Sequence, residues 1–355
     1  QAGVLENTPR LNYTTGVANP SLLLEPSRTQ LISSEYFGGY TFTNSSIETN
    51  DATSPEGLIN AAFLKEDTST GIHLINQNTT ASAGVYTASV FVKANGRDWL
   101  AMNIAASANY SAFFNLSNGT TGTIQSNITS ATIEAVGTNG WYRCSITADT
   151  TTPAISPRAA IYLATGDNGF SYTGNGTDGV LIYGFQLEQG SYPTSYIPNH
   201  SGGSVTRGSE TCGKTGVSSL IGQTEGTIFF EWSKDVLNFG SDYSYFQVGS
   251  YPSYVGIYIQ ASKCVCEVVN AGAVQATITK NSVSIGTHKA AVAYANNDIS
   301  FYFDGVQVGT DSLATIPATS QVYLNSNNGI AEKIKQALIF KERLTNAELI
   351  TLTTI

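Results

Sequence analysis

Residues 208–215 read Gly-Ser-Glu-Thr-Cys-Gly-Lys-Thr and fit the phosphate-binding loop pattern letter for letter. That loop needs a buried strand before it and a helix after it, whose N-terminus holds the phosphates. Here a Gly/Ser-rich stretch precedes the motif and strand-like sequence follows, so the match reads as coincidence. His73, His200 and His288 are the histidines of the chain. None sits in a motif with a nucleophile, and there is no Gly-x-Ser-x-Gly elbow. His73, in TSTGIHLI, reads as a surface or hydrogen-bonded strand residue. Paired carboxylates hydrolyse glycosides. Glu231, Glu267 and Asp304 lie on or near strand-like runs, but their spacing defines no pair.

Two other groups of side chains suit binding rather than catalysis. The segment DNGFSYTGNGTDG (167–179) sets Asp167, Asn168, Asn175 and Asp178 among glycines. Oxygen ligands on such turns suit Ca²⁺, and Glu188 adds a carboxylate nearby in sequence. The spacing is not that of an EF-hand, and a plain polar hairpin is the competing reading. Tyr243, Tyr245, Tyr251 and Tyr254 cluster in GSDYSYFQVGSYPSYVG, which reads as loop-like. Sugar rings stack on tyrosine faces while amides and carboxylates bind the hydroxyls, so these four are the candidate ligand-binding residues; core or edge packing is the alternative. Cys264 and Cys266 would share one face of a strand. They read as free strand cysteines, with metal binding or a bond from one of them to Cys212 as alternatives, and Cys144 reads as a small buried residue.

The elements that must carry these residues are strands. Only 12% of the 355 residues are charged, hydrophobic residues make up 41%, and there are 34 Gly and 19 Tyr. That composition favours sheets with packed cores. A formal net charge of −9 argues against nucleic-acid binding, and no apolar run is long enough to insert in a membrane. The chain starts at Gln1, not Met, and shows no signal peptide, so it reads as a processed or partial chain. Short alternating runs with Gly/Asn/Asp turns predict an all-β protein of two tandem antiparallel β-sandwiches. The predicted organisation is an N-terminal docking arm (1–35), a first sandwich (36–200), a linker (201–216) and a second sandwich (217–355). The run LIYGFQLEQGSYPTSYIP (181–198) reads as the last strand of the first, with Leu181, Tyr183, Phe185 and Leu187 on one face. Prolines then end its ladder. Asn296-Asn297-Asp298 and Asp304-Gly305 predict hairpin turns. Thr345-Asn346-Ala347-Glu348 is a capping-box pattern that predicts a short C-terminal helix.

The first domain resembles a group of bacteriophage virion proteins found in tail fibres, tail-associated adhesins and head fibres. The resemblance rests on an ordered series: PRLNY (9–13), PSLLLEPSRTQLI (20–32), SPEGLINAAFLKEDTSTGIHLINQ (54–77), YTASVFVKANGRDWL (86–100), FFNLSNGTTGTI (113–124), NGWYRCSIT (139–147), YTGNGTDGVLIYGFQLEQGSYPTSYIP (172–198) and VTRGSE (205–210). It departs at YIPNHSGGS (196–204), where the linker is longer or altered. The resemblance implies a carbohydrate-binding-module-like jelly roll in a virion appendage. More loosely, EGTIFFEW (225–232), ISFYFDGVQVG (299–309) and KIKQALIFKERLTNAEL (333–349) resemble laminin-G and concanavalin-like sandwiches. Together these imply a non-enzymatic, lectin-like adhesin on the virion for host attachment. Its partners would be host surface polysaccharide and, through residues 1–35, other virion proteins, and the expected assembly is a homotrimer. The alternatives are a purely structural virion decoration or tail-assembly protein, and a polysaccharide depolymerase.

Overall fold

A computed structural model describes residues 10–12, 20–200, 202–234, 243–260, 262–327 and 332–355. The regular structure of the described residues is almost all β-strand, with three 3-10 turns and one short α-helix at Asn346–Thr353. They form two compact units. Each is a β-sandwich of antiparallel sheets around its own apolar core.

In the first unit, one sheet runs in the order Thr120–Ile124, Ser111–Asn115, Trp99–Asn103, Arg158–Ala164, Leu74–Asn78, Thr41–Thr43. The facing sheet centres on Val85–Asn95 and Gly179–Gln189, which pair along most of their lengths. Strict alternation sends Leu100, Met102, Ile161 and Leu163 of one sheet, and Val90, Val92, Cys144 and Ile146 of the other, into the shared core.

The strand Gly179–Gln189 breaks that rule. Val180 and Ile182 enter the core, and so do Phe185 and Leu187, whereas Leu181 and Tyr183 lie in a separate cluster with Trp141 and Tyr196. The expectation that Leu181, Tyr183, Phe185 and Leu187 share a face is therefore wrong. The register shifts between Tyr183 and Gln186, and Gly184 sits there at φ +59°. A bulge adds one residue and inverts the faces beyond it. On the strand's other edge, pairing with Ile59–Glu66 ends at Ile182 and pairing with Arg28–Gln30 begins at Glu188; the buried Gln30 side chain fills the gap, donating to Phe185 O at 2.8 Å and accepting from Leu187 N at 2.7 Å. Past the strand, the chain folds back. Glu188, fully buried, accepts from Thr194 N at 2.9 Å, and Ile197 N donates to Gln186 at 2.7 Å.

The second unit has a sheet ordered Leu11–Asn12, Ser21–Leu24, Glu332–Phe340, Glu225–Lys234, Gly286–Ala295, Asp298–Phe303, Val306–Asp311. The other runs Thr211–Thr215, Gln321–Asn327, Tyr243–Ser250, Ser253–Gln260, Lys263–Asn270, Ala273–Lys280. Asn297 (φ +60°) and Asp304 (φ +47°) occupy the predicted turns. The capping box forms as predicted: Thr345 N donates to Glu348 at 2.7 Å, and Glu348 N to Thr345 Oγ1 at 3.3 Å. The helix buries Leu349 against Phe229, Ala291 and Tyr302.

Three expected boundaries differ. Residues 21–24 are not part of an arm: Leu22 pairs with Ile334 and Leu24 is buried in the second core. Arg28–Gln30 joins the first unit by pairing with Val205–Arg207. The segment 201–216 is not a free linker, because its β-branched runs pair in one sandwich or the other. The first unit is thus inserted between two segments of the second. Glu210 clasps those segments together. It accepts from Arg10 Nε at 2.8 Å and from Glu25 N at 3.0 Å.

Glu66 is the most heavily bonded carboxylate of the first unit. Arg97 grips it through Nε at 2.7 Å and Nη2 at 2.6 Å, and Tyr172 Oη and Asn175 N each donate at 2.7 Å. Burial alone would raise its pKa, but the Arg97, Asn175 and Tyr172 bonds outweigh burial and hold it below the usual carboxylate range. A lowered folded-state pKa contributes stability that is present above the unfolded pKa, near 4.3, and lost as pH falls through the folded value. We therefore expect Glu66→Gln to lower unfolding stability at pH 7 by about 3 kcal/mol. The gap between variant and wild type should shrink below about pH 4, as urea titrations at several pH values will show.

Candidate functional site

Alternation along the meander from Tyr243 to Lys280 sorts its side chains between two destinies. Phe246, Val248, Val255, Ile257, Ile259, Cys264, Cys266 and Val268 point into the core. Tyr245, Gln247, Tyr254, Tyr258, Val265 and Glu267 therefore face outward, and they line an open groove of about 700 Å³ with Tyr251, Lys263 and Thr277. The pairing register sets the rows. Tyr245 lies opposite Tyr258, and Tyr258 opposite Val265; one row on, Gln247 lies opposite Gly256, and Gly256 opposite Glu267.

The rings form a continuous aromatic strip. Tyr258 is 5.5 Å from Tyr245 and 5.9 Å from Tyr254, centre to centre. Its hydroxyl donates to Gln247 Oε1 at 2.7 Å, and Tyr254 donates to Glu267. Burial first, then the bond to Tyr254, pushes the Tyr258 hydroxyl far above the ordinary tyrosine pKa, so it stays a neutral donor. Gly256 makes the arrangement possible: a Cβ there would come within 2.7 Å of Tyr258 Cε2. The ring lies over the space that a side chain would fill. Tyr323 uses the same device at the sheet's other end, where a Cβ on Gly213 would meet its ring at 2.4 Å.

That observation disposes of the phosphate-loop match. Residues 211–215 are an exposed strand paired with Gln321–Asn327, not a loop before a helix. Gly213 answers to the Tyr323 ring, and nothing crowds Gly208.

Of the tyrosines singled out from sequence, Tyr245, Tyr251 and Tyr254 line the groove. The Tyr243 side chain lies outside the described residues. Tyr245 and Tyr254 are strand residues rather than loop residues, and only Tyr251, 77% exposed, sits in a turn. Tyr258, Gln247 and Glu267 were not assigned to the site from sequence. The signal was the Tyr254–Tyr258 spacing within an alternating run, which places both rings on one face.

The proposed calcium ligands are not brought together. Asp167 accepts from Thr123 N at 2.7 Å and Asp178 from Asn175 Nδ2 at 2.7 Å, while Glu188 is fully buried and bonded to Thr194. Asp178 and Glu188 lie near opposite ends of one strand, roughly 30 Å apart at the rise of a strand. Among the described residues, no three His, Cys, Asp or Glu side chains are placed to share a metal. The four cysteines form no disulfide with one another, and Cys264 and Cys266 are buried. His73 is fully buried and stacked 4.5 Å from Tyr172, so it is not a surface residue; its carbonyl accepts from Leu163 N at 2.9 Å, and its Nε2 lies 3.6 Å from Asp67 Oδ1. Glu231, 3.9 Å from Lys335, and Glu267 lie on strands of different sheets of the sandwich, so the two do not form a catalytic pair. Asp304 is engaged by His288 at 2.8 Å.

No protein-family model and no curated protein sequence matches the chain. Solved structures resemble part of it. The CBM40 of the Ruminococcus gnavus IT-sialidase is similar at 16% identity over 38% of this chain and 85% of that one, with a TM-score of 0.32. The leech intramolecular trans-sialidase gives 20% identity over 38% of this chain and 24% of that one, with a TM-score of 0.30. The botulinum neurotoxin type G receptor binding domain gives 12% identity over 37% and 38%, with a TM-score of 0.32.

Gly256→Ala should push the Tyr258 ring off the sheet and break its bond to Gln247, because the obstructing atom is the free edge of a surface ring. A crystal structure of the variant, or the shifts of the Tyr258 ring protons, will show the displacement. Unfolding stability should change by less than about 1 kcal/mol, since the strand's core-facing side is untouched.

Proposed function

We propose that the chain is a non-catalytic glycan-binding protein, and that the outer face of its second sandwich holds an extended oligosaccharide along the tyrosine strip. The observation that carries this reading is the row Tyr245–Tyr258–Tyr254, with Gln247 and Glu267 beside it. Flat rings offer stacking surfaces to the apolar faces of sugars. The amide and carboxylate of the same groove can bind hydroxyls. From Tyr254 to Gln260 the strand spans about 20 Å, which suits several linked sugars better than one.

The biological setting we propose is a bacteriophage appendage, a tail or head fibre or adhesin that engages host surface polysaccharide. The ordered series of motifs between residues 9 and 210 supports it. A trimer would multiply weak single-site affinity through avidity. The acidic chain, at −9, suits a neutral or mixed polysaccharide better than a nucleic acid.

A glycan array and host-cell binding with the full chain test the reading. A fragment starting at residue 217 would lack the paired strands Ser21–Leu24 and Thr211–Thr215 and is not a fair probe. Tyr258→Ala and Tyr254→Ala should each weaken binding about tenfold, near 1.4 kcal/mol. Unchanged binding in both variants would sink the platform. New reducing ends released from a bound polysaccharide would favour a depolymerase instead.

A further inference from the structure

On the first sandwich, the sheet containing Arg158–Ala164 also has an outward face. Ala159, Ile161 and Leu163 are core residues, so Arg158, Ala160 and Tyr162 point away from the core. Ala160 stands between Arg158 and Tyr162 on that face, and its small side chain leaves room for the arginine to extend along the strand. The guanidinium is held at two points. Nε donates to Asn103 Oδ1 at 3.1 Å, and Nη2 donates to Tyr162 Oη at 2.7 Å. Asn103 is itself 1% exposed, and its amide nitrogen donates to Ser107 O at 2.8 Å and Ser111 Oγ at 3.0 Å. The amide oxygen is therefore turned toward Arg158. Phe170, 5.8 Å from the Tyr162 ring, holds the second anchor.

Both anchors are neutral. Among the described residues no carboxylate forms an ion pair with Arg158, whereas Arg97 pairs with Glu66 and Lys65 with Glu48. The acids flanking this part of the sheet, Asp98 and Asp167, adjoin the far end of the strand: Trp99 pairs with Ala164. A half-buried guanidinium has thus been fixed in direction without being neutralised, in a chain of net charge −9.

We propose that Arg158 anchors a second saccharide site, distinct from the tyrosine strip, which takes the carboxylate of an acidic sugar. A guanidinium has five N–H donors. Two are spent on Asn103 and Tyr162, which leaves both protons of Nη1 and one of Nη2. With Tyr162 on the Nε side of Nη2, one Nη1 proton and the free Nη2 proton form the end-on edge of the fork, which can receive a carboxylate through two parallel bonds. Pre-orientation lowers the entropic cost of forming them. The exposed Asn78, opposite Arg158, supplies an amide for the hydroxyls of the same ring.

The test uses the full chain and isothermal calorimetry. The probes are oligosaccharides carrying a uronic or sialic acid, the same compounds as methyl esters, and sulfated analogues. Wild type should prefer the free acid to the ester by at least about tenfold, the scale of one charge-assisted pair. Arg158→Gln should abolish that preference, and Tyr258→Ala should keep it, which separates this site from the tyrosine strip. Arg158→Lys, which keeps the charge and loses the fork, should retain only part of the preference, and melting curves identify any variant that fails to fold. Equal binding of acid and ester by wild type overturns the proposal. So does a preference that survives in folded Arg158→Gln, or tighter binding of the sulfated analogues.

Discussion

The first sandwich relies on one buried side chain, Gln30, to complete the edge of its central strand opposite the bulge at Gly184. A central strand whose neighbour stops short is left with backbone groups without ladder partners, and buried ones are costly to leave unmet. Gln30 presents a donor and an acceptor at a peptide's spacing and satisfies Phe185 O and Leu187 N together. The bulge against Val85–Asn95 on the other edge lets the strand carry core residues on opposite parities before and after Gly184. Leu181 and Tyr183 are then left on the outside, and the returning chain covers them with Tyr196, 5.3 Å from Tyr183.

The second sandwich keeps the two-residue alternation, and its outer face shows what the alternation permits. Small residues directly beside aromatic ones let rings lie down on the sheet. Gly256 under Tyr258 and Gly213 under Tyr323 are two instances. A ring that lies flat offers its face to solvent and its hydroxyl to a neighbour on the sheet, here Gln247 for Tyr258. On the first sandwich Ala160 makes the same kind of room for Arg158. On both units the outer faces carry side chains whose direction the pleat and a small neighbour dictate.

Much of this was legible in the chain because it is local. The alternating runs around Val90, Met102, Cys144 and Ile161 became core strands, and the Thr345–Glu348 box became a helix start. What could not be read is non-local. Nothing near Gly184 signals a bulge until the strand is set against Val85–Asn95, far away in sequence, and the register shifts. The leucines at 22–24 look like an arm because their partner, Glu332–Phe340, lies near the other end of the sequence. Asp167, Asp178 and Glu188 are close in sequence, yet an extended strand carries a short sequence separation to a long distance. Tyr258 escapes the sequence for another reason. Its strand has one face in the core and one face open, and nothing local marks which face carries Tyr258.

The pairing of Leu22 with Ile334 also sets an order of events during synthesis. The strand Ser21–Leu24 leaves the ribosome early, but the edge it must join is made roughly 300 residues later. Domains generally fold as units while the chain emerges, and long-range pairings form late. Residues 28–207 can close their own sandwich in the interval, with both ends of that segment brought side by side through Arg28–Gln30 and Val205–Arg207. That closure shortens the effective loop between Ser21–Leu24 and the nascent second sandwich from most of the chain to the remainder. The inserted domain thereby acts as a splint for the one that surrounds it.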